Sequence, residues 1–310
     1  KMVDLAFKTG AECIKHQTHV IEDEMSDDAK KFLPLNQKKS IYQIMKECAL
    51  SESDEIKLKK YVESKNMIFL STPFSREASN RLNKMKVKAF KIGSGECNNY
   101  PLVEYIAKQK KPIILSTGMN TIKSIKPAVT IIRKYKIPYV LLHCTNIYPT
   151  PSNLIRLGAI KTLKKNFSDA LVGLSDHSES IFPCLGAIAL GANVIEKHFT
   201  DSKKSKGPDI SASMDPNELK TLIKGSKEIF YAKGDVKKAV KDEKSTLKFA
   251  FASLVATEEI PKGHKITKKN CFPKRPGTGD FLAKDYKKIL GKKTKKRIKK
   301  NTLIKKNHLK

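Results

Sequence analysis

Residues 170–177 read ALVGLSDH and residues 194–200 read VIEKHFT. Each is a short apolar run that turns polar at its end, and the polar ends carry His177 and His198. Five further stretches share that form: Glu12–Val20 (ECIKHQTHV), Met67–Phe74 (MIFLSTPF), Ala89–Glu96 (AFKIGSGE), Pro112–Met119 (PIILSTGM) and Tyr139–Asn146 (YVLLHCTN). From the second run onward the starts lie 22 to 31 residues apart, room for a strand, a loop, a helix and a loop. Such alternation predicts a parallel sheet and an α/β fold. The wider gap after the first run leaves a loop around Glu22–Ser40. Seven strands are one short of a (β/α)8 TIM barrel. A helix over Met2–Thr9 comes before the first run, so the element not found is the barrel's first strand. The chain opens at Lys1 without an initiator Met, and the expectation is that its natural N-terminus and that strand are missing. On that reading the 310 residues alone are poorly soluble and inactive.

The polar ends decide between a barrel enzyme and a generic α/β sheet. Each strand starts apolar and finishes as KHQT, STPF, GSGE, STGM, HCTN, LSDH or EKHF. In a barrel the C-terminal strand ends and the loops after them build the active site. Polar groups at the ends of apolar strands lose solvation and need something to bind.

Composition narrows the class. A net charge of +31 suggests a polyanion partner. However, only Arg76, Arg81, Arg133, Arg156, Arg275 and Arg297 are arginine among 62 basic residues, whereas base readout favours arginine forks. Lysine is spread along the chain, and no specific nucleic-acid contact is expected. No apolar run reaches the roughly 18 residues of a membrane span. Cys13, Cys48, Cys97, Cys144, Cys184 and Cys271 form no C-x-x-C pair, so buried free thiols in a reducing, cytoplasmic setting are expected. The barrel is expected over residues 1–231 and a linker over 232–248. Residues 249–310 form a small basic unit with 19 Lys/Arg against four Asp/Glu.

The residues point to chemistry in three groups. His177 and His198 end successive strands and can present two imidazoles to one divalent ion. Lys15 and Lys91 lie inside strands, where an ammonium must be paired or face a ligand. Gln17, Thr72, Ser94, Ser116, Asn146 and Ser175 occupy the same rim, and together these make a phosphate or carboxylate pocket. Glu96 and Asp209 are carboxylates available for general acid–base work.

The segments KHQTHVIEDEMS, FLSTPFS, KIGSGECNNYPL, ILSTGMN, HCTNIYPTP, GLSDHS, EKHFTD and GPDISASM resemble, in order, the N-acetylneuraminate (sialic acid) synthase family. SLVAT, IPKGHKIT and KRPGTGDF resemble its C-terminal antifreeze-like (SAF) domain, a small β-clip-like fold. The resemblance implies a metal-dependent condensation of phosphoenolpyruvate with N-acetylmannosamine and water, giving N-acetylneuraminate and phosphate. Legionaminic or pseudaminic acid synthesis is the alternative in the same family, and a polyanion-binding basic protein is the alternative from another class. By the resemblance, Lys15, Thr72, Lys91, Ser94, Ser116, Asn146 and Ser175 hold phosphoenolpyruvate, and His177 and His198 hold Mn²⁺ or Mg²⁺. Gln17, Asn36, Glu96, Tyr148 and Asp209 line the sugar site, and Arg275 reaches the acetamido group in a partner subunit, implying a domain-swapped homodimer. Glu96, Asp209, His177 and Lys91 are the residues expected to carry the reaction. One departure stands out: the family's first strand, with an E-I-G-x-N-H-like motif and a catalytic Glu, is not in this sequence.

Overall fold

The structure, a computed structural model, describes residues 1–34, 38–207, 209–234 and 236–310. Two compact units divide the chain, Lys1–Gly234 and Asp235–Lys310.

In the first unit seven strands form one sheet: β1 (Cys13–Thr18), β2 (Ile68–Pro73), β3 (Phe90–Ile92), β4 (Ile113–Ser116), β5 (Tyr139–Cys144), β6 (Leu171–Asp176) and β7 (Val194–Lys197). Their spatial order follows the chain order, and every neighbouring pair is parallel. Among the helices are α1 (Met2–Thr9), α2 (Glu52–Ser64), α3 (Arg76–Lys84), α4 (Tyr100–Ala107), α5 (Ile122–Lys134), α6 (Ala159–Asn166), α7 (Phe182–Ala189) and α8 (Pro216–Ala232). This is the curled parallel sheet of a half-barrel. Among the described residues no strand bridges β1 and β7.

Strand periodicity sorts the side chains. Phe90, Ile92, Ile113, Leu115, Leu141, Val172 and Leu174 are buried in one core with Ile106, Ala128 and Ile132 of the helices. The alternate positions, among them Lys91, Ser116, Ser175 and Glu196, therefore fall on the inner face. The strands are shorter than the runs that predict them, and some polar tails leave the ladder. Ser94–Glu96, for instance, forms a 3-10 turn. Gly173 makes the β6–β7 approach possible: a Cβ there would lie 2.1 Å from the Val194 carbonyl oxygen. Polar caps set the helix starts. Asp215 accepts from the Asn217 and Glu218 amides at the head of α8, and the Asp215 amide donates to the Glu218 carboxylate.

The second unit has its own core, built on Leu254, Ala256, Ile260, Cys271, Ile298 and Ile304. Strands β8 (Ser253–Ala256) and β9 (Cys271–Lys274) pair antiparallel. Isolated bridges such as Val255 to Leu303 and Ile260 to Ile298 complete a small β unit. The predicted linker is not wholly irregular, since a helix spans Lys244–Ala250. The thiols also depart from expectation: all six are free, but Cys13 and Cys48 are exposed rather than buried. Cys13 sits at the first position of β1 and Cys48 at the last position of a helix over Ile41–Cys48, where neighbours do not close over them. Among the described residues, no helix is long and apolar enough to cross a membrane.

Candidate active site

The C-terminal ends of the strands assemble a mouth with a cationic floor. Lys91, in the middle of β3, is 2% exposed; its ammonium donates to Ser116 Oγ at 2.7 Å and to the Ile92 carbonyl at 3.1 Å. Glu196 of β7 lies between two ammoniums, with Oε2 3.7 Å from Lys91 Nζ and Oε1 3.6 Å from Lys15 Nζ on β1. Ser175 donates to Glu196 Oε1 at 3.0 Å. Burial alone would raise the Glu196 carboxyl, but Lys91, Lys15 and the Ser175 hydroxyl override it and hold the carboxyl down at about 2. Burial also loosens the hold of Lys91 on its proton, an effect that the Glu196 carboxylate opposes. Glu196 thus balances one of the two ammonium charges, and the floor keeps one net positive charge. Its place two residues before His198 put it on the inner face in the sequence, but nothing there marked it as the lysines' partner.

The hydroxyls and amide of the predicted anion pocket gather at the same level. Ser94 Oγ accepts from the Gly118 amide at 3.0 Å, and Asn120 donates to the Ser94 carbonyl at 3.1 Å. Asn146 Oδ1 accepts from Cys144 Sγ at 3.3 Å. Gly118 is the hinge of this cluster. A Cβ there would lie 1.8 Å from Asn146 Oδ1 and 2.8 Å from Ser94 Oγ, so only glycine lets both side chains close on the turn. Thr72 is buried on β2 in register with Gln17, which is exposed.

Beside the pocket stand the two imidazoles, with ring centroids 5.4 Å apart. His177 Nδ1 faces the Thr145 carbonyl at 3.0 Å, and a carbonyl can only accept. That fixes the proton on Nδ1 and leaves a lone pair on Nε2, to which the Tyr148 hydroxyl donates at 3.1 Å. Tyr148 stacks on His177 at 4.0 Å between centroids. Burial pushes the His177 imidazole below its ordinary range, against the pull of the Thr145 carbonyl. Burial likewise lowers His198 to about 4, against Asp209, whose Oδ2 is 3.8 Å from His198 Nδ1. Both rings are neutral at pH 7, the form that binds a cation. Among the described residues no third His, Cys, Asp or Glu joins the pair in a ready-made metal cluster. The donors fit the protein's share of a divalent-ion shell whose other positions belong to water or substrate.

Some predicted residues stand apart. Glu96 accepts from Asn99 Nδ2 at 2.6 Å within its own turn. Arg275 lies in the second unit, exposed, with its guanidinium 5.7 Å from the Phe249 ring centroid. Asn36 lies outside the described residues.

A curled parallel sheet whose strand ends carry buried cations, hydroxyls and neutral imidazoles is the layout of a barrel-type enzyme. The chain belongs to the NeuB family, whose profile matches residues 2–238, and residues 251–310 match the SAF domain. It is 39% identical to an N,N'-diacetyllegionaminic acid synthase of Campylobacter jejuni, over 98% of this chain and 93% of that protein. It is 30% identical to the human N-acetylneuraminate-9-phosphate synthase, over 86% and 76%. Among solved structures, the N-acetylneuraminic acid synthetase of Leptospira borgpetersenii in complex with citrate superposes with a TM-score of 0.72 at 31% identity, covering 79% of this chain and 83% of that one. The relatives are synthases of the sialic-acid type.

Proposed function

We propose that this chain condenses phosphoenolpyruvate with an N-acetylated hexose to form a nine-carbon 2-keto acid and inorganic phosphate. The observation that supports the reading is the adjacency of one anion pocket, Lys15 and Lys91 with the surrounding hydroxyls, and a neutral imidazole pair. For the acceptor, the 39% identity with a legionaminic acid synthase outweighs the 30% identity with an N-acetylneuraminate-type enzyme. A legionaminic-type acceptor, carrying two acetamido groups, therefore takes precedence over the N-acetylmannosamine suggested by the loop motifs.

In this reading Lys15 and Lys91 bind the phosphate and carboxylate of phosphoenolpyruvate, with Thr72, Ser94, Ser116, Asn146 and Ser175 as neutral donors. His177 and His198 would hold Mn²⁺ or Mg²⁺, which supplies Lewis-acid polarisation of the acceptor's aldehyde oxygen. The enol carbon forms the new bond to the aldehyde carbon, water adds to C2, and the tetrahedral adduct expels phosphate. The lysines hold the departing phosphate's charge without reorganising. Tyr148 and Asp209 would face the acceptor, with Asp209 available for proton transfer; Glu96 would have to leave its contact with Asn99 to share that role. Arg275 would reach the acetamido group in a second copy of the chain within a swapped homodimer.

The test is phosphate release from phosphoenolpyruvate with a panel of acceptors and Mn²⁺. Release that requires a diacetamido hexose supports the full reading. A tenfold higher kcat/KM with N-acetylmannosamine would reassign the sugar. Release independent of any acceptor would overturn the reaction.

A further inference from the structure

The residues just before the two imidazoles form a buried ion pair that the reaction above does not use. Asp176 closes β6 and Lys197 closes β7, and the two are register partners. They face the helical side of the sheet, opposite Ser175, His177, Glu196 and His198. Their side chains are 1% and 0% exposed. Lys197 Nζ donates to Asp176 Oδ2 and to the Ser178 carbonyl, each at 2.6 Å. Asp176 also accepts from Ser178 Oγ at 2.7 Å, from the Ser178 amide at 3.2 Å and from Cys184 Sγ of α7 at 3.5 Å.

Stability alone does not ask for such a pair, since well-packed apolar residues in its place are often neutral or stabilising. What the pair adds is position. The β6–β7 ladder ends at Asp176 and Lys197. Beyond it the His177 carbonyl accepts from the Thr150 amide and the His198 carbonyl from the Met214 amide, each at 2.9 Å, and neither bond ties one strand end to the other. Two imidazole nitrogens that share a first-row divalent ion must each come to about 2.1 Å from it, within a few tenths of an ångström. Strand ends free to splay would lose that spacing. Resting on the proposed role of His177 and His198, we propose that Asp176 and Lys197 are positioning residues that, from behind the sheet, fix the separation of the two imidazoles for one divalent cation.

The experiment measures Mn²⁺ binding to the full chain by titration calorimetry without substrates, with phosphoenolpyruvate binding measured in parallel under chelator. His198→Ala identifies the part of the Mn²⁺ signal that belongs to the imidazole pair. Asp176→Asn combined with Lys197→Met removes both charges at nearly constant volume. That variant is expected to melt cooperatively and to bind phosphoenolpyruvate within threefold of wild type, with Mn²⁺ affinity lowered roughly 10- to 100-fold. Ser178→Ala keeps both charges, removes one bond to the carboxylate, and is expected to weaken Mn²⁺ binding about threefold. It decides the matter if the double variant does not fold. Wild-type Mn²⁺ affinity in the folded double variant, or in Ser178→Ala where that one replaces it, overturns the proposal. A wild-type Mn²⁺ signal insensitive to His198→Ala overturns the imidazole reading as well, so the two failures are distinguishable.

Discussion

Gly118→Ala tests the anion pocket through one added methyl group. The new Cβ would stand 1.8 Å from Asn146 Oδ1, whereas an ordinary contact begins near 3.4 Å, so the amide must retreat by about 1.6 Å. Ser94 Oγ, at 2.8 Å, must give by about 0.6 Å. Misplacement by 1 Å near a reacting centre lowers rates on the order of 10²-fold. The expected result is a kcat/KM for phosphoenolpyruvate lowered about 100-fold, or about 2.7 kcal/mol of transition-state stabilisation. Overpacking at the mouth removes about 1 kcal/mol of stability, a Tm change of about 2–4 °C. Gly118 has no positive φ, so backbone strain does not enter. The assay is steady-state phosphate release against phosphoenolpyruvate concentration, run on Gly118→Ala, Asn146→Ala and the pair. If the methyl acts by expelling Asn146, the double variant is within about threefold of Asn146→Ala alone, the non-additivity of two changes to one contact. A single variant within threefold of wild type would refute the reasoning. So would a double variant in which the two losses multiply.

Lys91→Met leaves Glu196 buried with Lys15 as its remaining cation; stability is expected to fall by about 3 kcal/mol in denaturant titrations. Adding Glu196→Gln should restore most of the stability but no turnover, and a stable single variant would contradict the neutralising role of Lys91. Asp169 is held down at about 2, first by its hydrogen bond to Arg133 and further by Tyr139. A lowered carboxyl stabilises the fold above its ordinary value near 3.9 and loses that contribution as pH falls towards 2. Asp169→Asn should therefore lower Tm slightly at pH 7, as half-exposed pairs do, with the gap to wild type closing by pH 2. Mixing inactive Arg275→Ala and Lys91→Ala chains should recover part of the activity if the second unit of one chain completes the site of another. No recovery despite demonstrated subunit exchange would mean that each chain builds its own site.

The strands were legible because apolar runs at regular spacing leave few alternatives, and the site was legible because each run turned polar at the same end. Pairwise roles were not legible. Glu196 reads as one more inward residue until β1, β3 and β7 are brought together and two lysines converge on it. Alternation puts Asp176 and Lys197 on the helical side of their strands, but only the register of β6 with β7 and the packing of α7 show the two charges paired and buried there. The short helix Lys244–Ala250 escaped because its sequence, KSTLKFA, has too few turns to show a period. Exposure of Cys13 and Cys48 depends on what covers a strand start and a helix end, which composition does not encode.

The sequential strand order has a consequence for synthesis on the ribosome. From β3 onward, each strand begins 22 to 32 residues after its predecessor and pairs directly with it. At about 5–20 residues per second, each new strand emerges about 1 to 6 s after the one it must join. Its partner is already made, and the loop to be closed is short, which keeps the entropy of each pairing small. No strand has to wait for a distant segment to be translated. The sheet can extend one βα unit at a time in the direction of translation, with the open hydrogen-bonding edge passing from β2 to β7 as the chain grows.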